Sequence, residues 1–160
     1  VSGRSGPQLL PAILESVDQV EVDSLALGIF SDERPLRGVA GLVDWRLCGL
    51  LSRFISAGRL SGRSAERVLM PGAGRIGATR IFIFGLGARE GFAAALPGLA
   101  AEIPDVLTRA DSRRAALALP GPAKLVAPSI DQIARRLAGK LIAVFDADGK
   151  LRDWLDREAS

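Results

Sequence analysis

RIFIFGLGAREG, residues 80–91, decides the architecture. Arg80–Phe84 is a short apolar run closed by glycine, which is how a strand buried on both faces reads. Gly85 and Gly87 then punctuate the chain. From Glu90 to Ala101 the alanine-rich sequence reads as a helix, which Pro97 and Pro104 limit or break. Strand, glycine turn and helix in direct succession are the repeating unit of an α/β sheet.

The same alternation extends in both directions. Upstream, Arg67–Met70 is predicted as a strand, followed by the loop PGAGRIGAT (71–79). Leu25–Phe30, LALGIF, is a stronger strand, closed by the turn-rich SDERPLRG (31–38). Gln19–Val22 reads as a first strand joined to it by a tight turn at Asp23–Ser24. The clearest helix is Leu42–Ala57, with Gly58 as its stop. Val43, Leu47, Leu50, Leu51, Phe54 and Ile55 recur there at helical spacing on one face. Burying that face contributes on the order of 10 kcal/mol as an upper estimate. Downstream, Ala115–Leu119 is a strand ended by PGP (120–122). Ser129 reads as the N-cap of a helix, with Gln132 completing a capping box. Ile130, Ile133, Ala134, Leu137 and Leu141 form its apolar face. Leu141–Phe145 is a final strand or an extension of that helix. Asp146–Gly149 is a turn, and Lys150–Glu158 a last short helix. Residues 1–8, VSGRSGPQ, read as a flexible lead-in, and residues 9–160 as one domain.

Composition narrows the chemistry. The 160 residues include no histidine and no tyrosine, and a single cysteine, Cys48. The absence of histidine removes Ser-His-Asp and Cys-His mechanisms and most zinc sites. Cys48 permits no internal disulfide, and without a base beside it reads as a small buried residue. No apolar run approaches the roughly 20 residues of a membrane span, so a cytoplasmic protein without membrane contact is expected. The net charge is +3, but residues 31–80 hold nine arginines against four acids. Such a segment can meet phosphate or acidic partners, or be an ordinary solvated surface. Nucleic acid is the weaker reading, because aromatics are not interleaved with the arginines.

Two motifs suggest sites. Gly85-Leu86-Gly87, between a strand and a helix, suggests a phosphate cradle of Gly85, Gly87, Ala88 and Arg89, in which the free amides of Ala88, Arg89 and Glu90 point at the anion and Arg89 is available to pair with it. The spacing to Gly91 misses the dinucleotide fingerprint by one residue, and no Lys-Ser/Thr pair makes it a P-loop. The segment LIAVFDADGKL (141–151) resembles the first motif of haloacid-dehalogenase phosphatases, with Asp146 as nucleophile and Asp148 as acid/base. Only ten residues follow Lys150, so the rest of that machinery has no place, and a polar turn is the better reading.

A wider pattern runs from Leu25 to Gly87. LALGIFSDERPLRGVAGLVDWRLCGLLSRFISAGRLSG, then ERVLMP, then RIFIFGLG, resembles the N-terminal domain of leucyl aminopeptidases in an ordered set of features. The resemblance implies a three-layer α/β/α, macro-domain-like fold with a mixed sheet. In that family the catalytic domain follows, binding two metal ions through Asp, Glu and Lys and carrying an N-T-D-A-E-G-R motif. The present sequence lacks that motif, so the resemblance carries over no catalytic residue, no metal and no cofactor. It implies a non-catalytic interaction or regulatory module, associating with itself or with a peptidase catalytic subunit. An alternative is a macro-type binder of a phosphate ligand such as ADP-ribose at Gly85–Arg89. A third is nucleic-acid binding through the arginine-rich middle.

Overall fold

Residues 22–29 carry apolar side chains on both sides of an extended chain, and a strand of that kind needs cover on two faces. The computed structural model, which describes residues 6–158 and 160, places this segment in the interior of a six-stranded sheet. In chain order the elements are β1 (Gln8–Pro11), α1 (Leu14–Gln19), β2 (Val22–Ile29), α2 (Gly38–Arg46), α3 (Leu50–Ser56), β3 (Arg67–Pro71) and β4 (Ala78–Gly85). They continue with α4 (Phe92–Arg109), β5 (Ala115–Ala118), α5 (Ala123–Leu137), β6 (Leu141–Asp146) and α6 (Leu151–Glu158). The sheet order is β1-β6-β5-β2-β4-β3. All neighbours are parallel except the antiparallel pair β3–β4.

The period-2 alternation sorts the sheet into two cores. Ala26, Phe82, Phe84 and Leu117 face α4, α5 and α6. Leu25, Leu27, Ile81 and Ile83 face α1, α2 and α3. This is the three-layer α/β/α arrangement with a mixed sheet that the sequence implied. No helix among the described residues is long and apolar enough to cross a membrane.

Several elements differ from the sequence reading, each for a physical reason. Gln8, assigned to a lead-in, opens β1 and pairs with Ala143; residues 1–5 of that lead-in lie outside the described residues. Gln19 ends α1, and Asp23–Ser24 is part of β2 rather than a tight turn. The helix expected over Leu42–Ala57 is two helices. Cys48 (φ 57°) and Gly49 (φ 78°) adopt the left-handed conformation between them, and the Asp44 carboxylate accepts the Ser52 N–H at 3.1 Å as well as its hydroxyl. The apolar period ran through this elbow because Val43, Leu47 and Leu51 still bury on one face. Phe54 is only half-buried, and Cys48 is exposed rather than buried.

Helix α4 continues through both prolines to Arg109. Each proline forfeits a ladder hydrogen bond, and burial of Leu96, Leu99, Ile103 and Leu107 offsets the loss. Helix α5 starts at Ala123, six residues before Ser129, which lies buried inside it. Its first N–H is taken by the Asp148 carboxylate at 3.1 Å, a cap from 25 residues away that no local motif announces. Leu141–Asp146 is a strand, not an extension of the helix.

One carboxylate fixes the lower end of β2 against β5. Asp23 accepts the hydroxyls of Ser24 (2.6 Å) and Ser112 (2.7 Å) and the amides of Arg113 and Arg114, both at 2.8 Å. Burial pushes its pKa up, but these four hydrogen bonds outweigh burial and hold it at about 2 rather than 3.8. A carboxylate whose folded pKa is depressed stabilises the fold above its unfolded pKa and ceases to do so as pH falls through the folded value.

Two outcomes follow from the packing. Leu51 is fully buried, so Leu51→Ala is expected to cost about 2–5 kcal/mol in urea melts. Asp23→Asn is expected to lower the urea midpoint at neutral pH. That difference should shrink as pH falls from 3.8 to about 2, and a difference independent of pH would remove Asp23 from this role.

Candidate functional site

Strand β2 has β4 on one side and β5 on the other, and their connections part company. After β2 the chain turns to α2 on one face, whereas after β5 it turns to α5 on the opposite face. Such a reversal opens a crevice beyond the carboxyl ends of the two strands. A crevice of about 160 Å³ lies there. Its walls are Leu27–Ile29 from β2 with Phe30 just beyond it, Ala118–Gly121 from β5 and the following loop, Phe145 from β6, and Leu36–Ala40 at the start of α2. Glu33 and Arg37 are the charged residues of the lining.

The start of α2 gives the crevice its polarity. Arg37 stands at the N-cap position in an extended conformation and supplies no side-chain cap. The first ladder bond runs from the Gly41 N–H to the Arg37 carbonyl at 3.2 Å. The amides of Gly38, Val39 and Ala40 therefore have no intramolecular acceptor among the described residues. Gly38 has φ of 58°, a left-handed conformation that admits glycine without strain. Free amides at a helix start favour a negatively charged or carbonyl group.

The glycine turn after β4 is built differently from the cradle the sequence suggested. The Gly85 N–H donates to the Glu66 carbonyl and the Gly87 N–H to the Gly62 carbonyl, both at 2.9 Å. The Arg89 N–H donates to the Asp32 carboxylate at 3.0 Å, and the Arg89 guanidinium lies 3.5 Å from the same oxygen. Thus the amides of three of the four candidate residues are already engaged, and Asp32 already occupies the anion position beside Arg89. Ala88 is exposed and precedes a single 3-10 turn, Arg89–Gly91. The turn lies beside the 57–66 loop and contributes no residue to the crevice.

Its glycines serve close approach instead. A Cβ on Gly85 would stand 1.9 Å from the Arg63 carbonyl oxygen. The facing loop is drawn in by Glu66, whose carboxylate accepts the amides of Ser61 (2.9 Å) and Gly62 (2.8 Å) and the Ser61 hydroxyl. Burial pushes the Glu66 carboxyl up, yet these hydrogen bonds and Arg63 hold it below the usual carboxylate range.

The other sequence candidates are likewise spent on structure. Asp146 accepts the amides of Gly149 and Leu151, capping α6, and Asp148 accepts those of Lys150 and Ala123. The pair is a double cap rather than a nucleophile and its acid. Cys48 lies at the α2–α3 elbow, with the Arg75 guanidinium 3.2 Å from its sulfur. Of the nine arginines in residues 31–80, three pair with acids: Arg46 with Asp18, Arg67 with Glu102 and Arg80 with Asp23. Arg34 donates to the carbonyls of Phe30 and Ser61. These four tie elements together, which removes them from an open basic stripe. Sequence reading missed Glu33, Arg37, Gly38 and Gly121 as lining residues. The available signals were the glycines just past two strand ends, in SDERPLRG and in PGP.

Comparison with known proteins fits this geometry. No family model matches the chain. A 70-residue stretch is 36% identical to the probable cytosol aminopeptidase of Burkholderia multivorans, covering 44% of this chain and 14% of that protein. An 80-residue stretch is 32% identical to the Alkaliphilus metalliredigens counterpart, covering 50% and 16%. The chain thus spans a minor part of the length of the curated relatives it matches. Among solved structures, a tomato leucine aminopeptidase mutant superposes with a TM-score of 0.62 at 18% identity, over 95% of this chain and 36% of that one. An Oceanobacillus iheyensis macrodomain gives 0.65 at 10% identity, over 94% and 88%. The macro domain of ganglioside induced differentiation associated protein 2 gives 0.65 at 10%, over 96% and 83%. About half the chain is therefore homologous to cytosol aminopeptidases, and its fold is macro-domain-like.

The glycine turn yields its own test. Gly85→Ala is expected to destabilise by about 1–3 kcal/mol, since backbone on both sides must shift. Gly91→Ala, where an added Cβ meets nothing within 4 Å, is expected to be near neutral. Thermal melts of the two variants side by side check the difference.

Proposed function

We propose that this chain acts as the non-catalytic module of a cytosol-aminopeptidase type of assembly, engaging either a second copy or a peptidase catalytic unit. One observation carries the reading. Almost the whole chain superposes on a leucine aminopeptidase of which it accounts for 36%. The unit therefore corresponds to a part of such an enzyme rather than to all of it. The side-chain chemistry supports the same reading. The carboxylates Asp23, Glu66, Asp146 and Asp148 are each committed to backbone amides. A cytoplasmic setting is part of the proposal, supported by the relatives named as cytosol enzymes.

A second reading rests on the crevice. Its position between β2 and β5, with free amides at the start of α2, suits a small ligand. On this reading the ligand site is the crevice and not the Gly85–Arg89 turn.

The module reading is tested with the purified chain, supplied with zinc or manganese and leucine amide. No hydrolysis is expected, and light scattering should show self-association as concentration rises, or the chain should alter the kinetics of an added cytosol aminopeptidase. Metal-dependent hydrolysis that a chelator abolishes would overturn the non-catalytic assignment. A strict monomer without effect on the enzyme would overturn the association.

A further inference from the structure

The volume of the crevice sets the size of the group it can enclose. At about 160 Å³ it is close to the roughly 150 Å³ of an apolar cavity that takes up one benzene ring. It is well below the roughly 300–1,000 Å³ of pockets that enclose drug-sized ligands. A dinucleotide-sized ligand would leave most of its atoms outside. Something of about six to nine non-hydrogen atoms fits.

The lining then specifies the chemistry. Leu27, Ile29, Leu36, Ala118 and Phe145 make the interior apolar. The Phe30 ring is held edge-on against Phe92 with centroids 5.0 Å apart, which fixes that wall. At the rim stand one acid and one base, Glu33 and Arg37. Neither side chain has an ion pair or hydrogen-bond partner among the described residues, whereas the neighbouring Asp32 is paired with Arg89 and Arg34 is bound to carbonyls. Next to Arg37 are the free amides of Gly38, Val39 and Ala40.

An apolar pocket of this size, with one anionic and one cationic group at its mouth, complements a short branched hydrocarbon that carries both an ammonium and a carboxylate. Resting on the crevice as a ligand site, we propose that it binds a free aliphatic amino acid such as leucine. The side chain fills the apolar interior. The carboxylate meets Arg37 and the amides at the start of α2. The ammonium meets Glu33.

Titration calorimetry of the whole chain with L-leucine, glycine, ADP-ribose and inorganic phosphate tests this. Leucine is expected to bind with Kd on the order of 1 mM or tighter, and glycine at least about tenfold more weakly because it lacks the hydrocarbon. Arg37→Gln and Glu33→Gln, both at the solvent-facing rim, should each weaken leucine about tenfold or more. Val39→Trp should block it by filling the mouth, with unchanged melting showing that the variant is folded. Leucine binding that survives Val39→Trp, or that equals glycine binding, would overturn the proposal. ADP-ribose or phosphate binding that Val39→Trp abolishes, without leucine binding, would overturn the amino-acid assignment but keep the crevice. No heat from any of the four would overturn both.

Discussion

Parallel pairing of β2 with both β4 and β5 is the constraint from which the rest of the molecule follows. Residues Leu25–Leu27 are bonded on both edges and covered on both faces. This strand has no surface to spare, so its neighbours must approach by crossovers, one through α2, α3 and β3, the other through α4. A parallel neighbour always demands such a crossover. Because the chain leaves β2 toward α2 on one face and β5 toward α5 on the other, the carboxyl ends of these two strands leave a gap that neither loop fills. The crevice is thus a geometric by-product of the strand order before it is anything functional.

The carboxylates divide along the same axis. Asp23 sits at the amino end of β2 and ties it to the turn before β5, while Glu66 sits at the carboxyl end and ties the 57–66 loop to the end of β4. Burial pushes both pKa values up, but hydrogen bonds from serine hydroxyls and backbone amides hold them below the ordinary carboxylate range. At the start of α2, beyond the carboxyl end of β2, three amides are left open.

How much of this the sequence disclosed depends on the range of the interaction involved. The strands at 25–30, 67–70, 80–84, 115–119 and 141–145 follow from local apolar runs, and each is present within a few residues. The ordered pattern from Leu25 to Gly87 carried the fold class, because it recorded the whole succession rather than any one element. Long-range contacts were silent. The α5 cap comes from Asp148, and α4 passes two prolines because of what it buries on the sheet. The elbow at Cys48–Gly49 was hidden by an apolar period that suits two short helices as well as one long one. At the site, Gly85 and Gly87 looked like a phosphate cradle because glycine permits close approach of a ligand or of backbone equally well. Here backbone from the 57–66 loop took the space.

The two ends of the sheet have a consequence for growth by strand addition. Both edge strands, β1 and β3, finish in proline, at Pro11 and Pro71. In β3 the bonds from the Gly72 N–H to the Thr79 carbonyl and from the Gly85 N–H to the Glu66 carbonyl set the alternation, so Arg67, Leu69 and Pro71 direct their backbone groups outward. Pro71 has no N–H to offer, which leaves that edge two donors. An incoming strand finds too short a template, the device by which β proteins resist running together into fibrils. A homologous chain docking here would have to come against helices or loops. Crowding many copies together should then give discrete complexes rather than extended sheets.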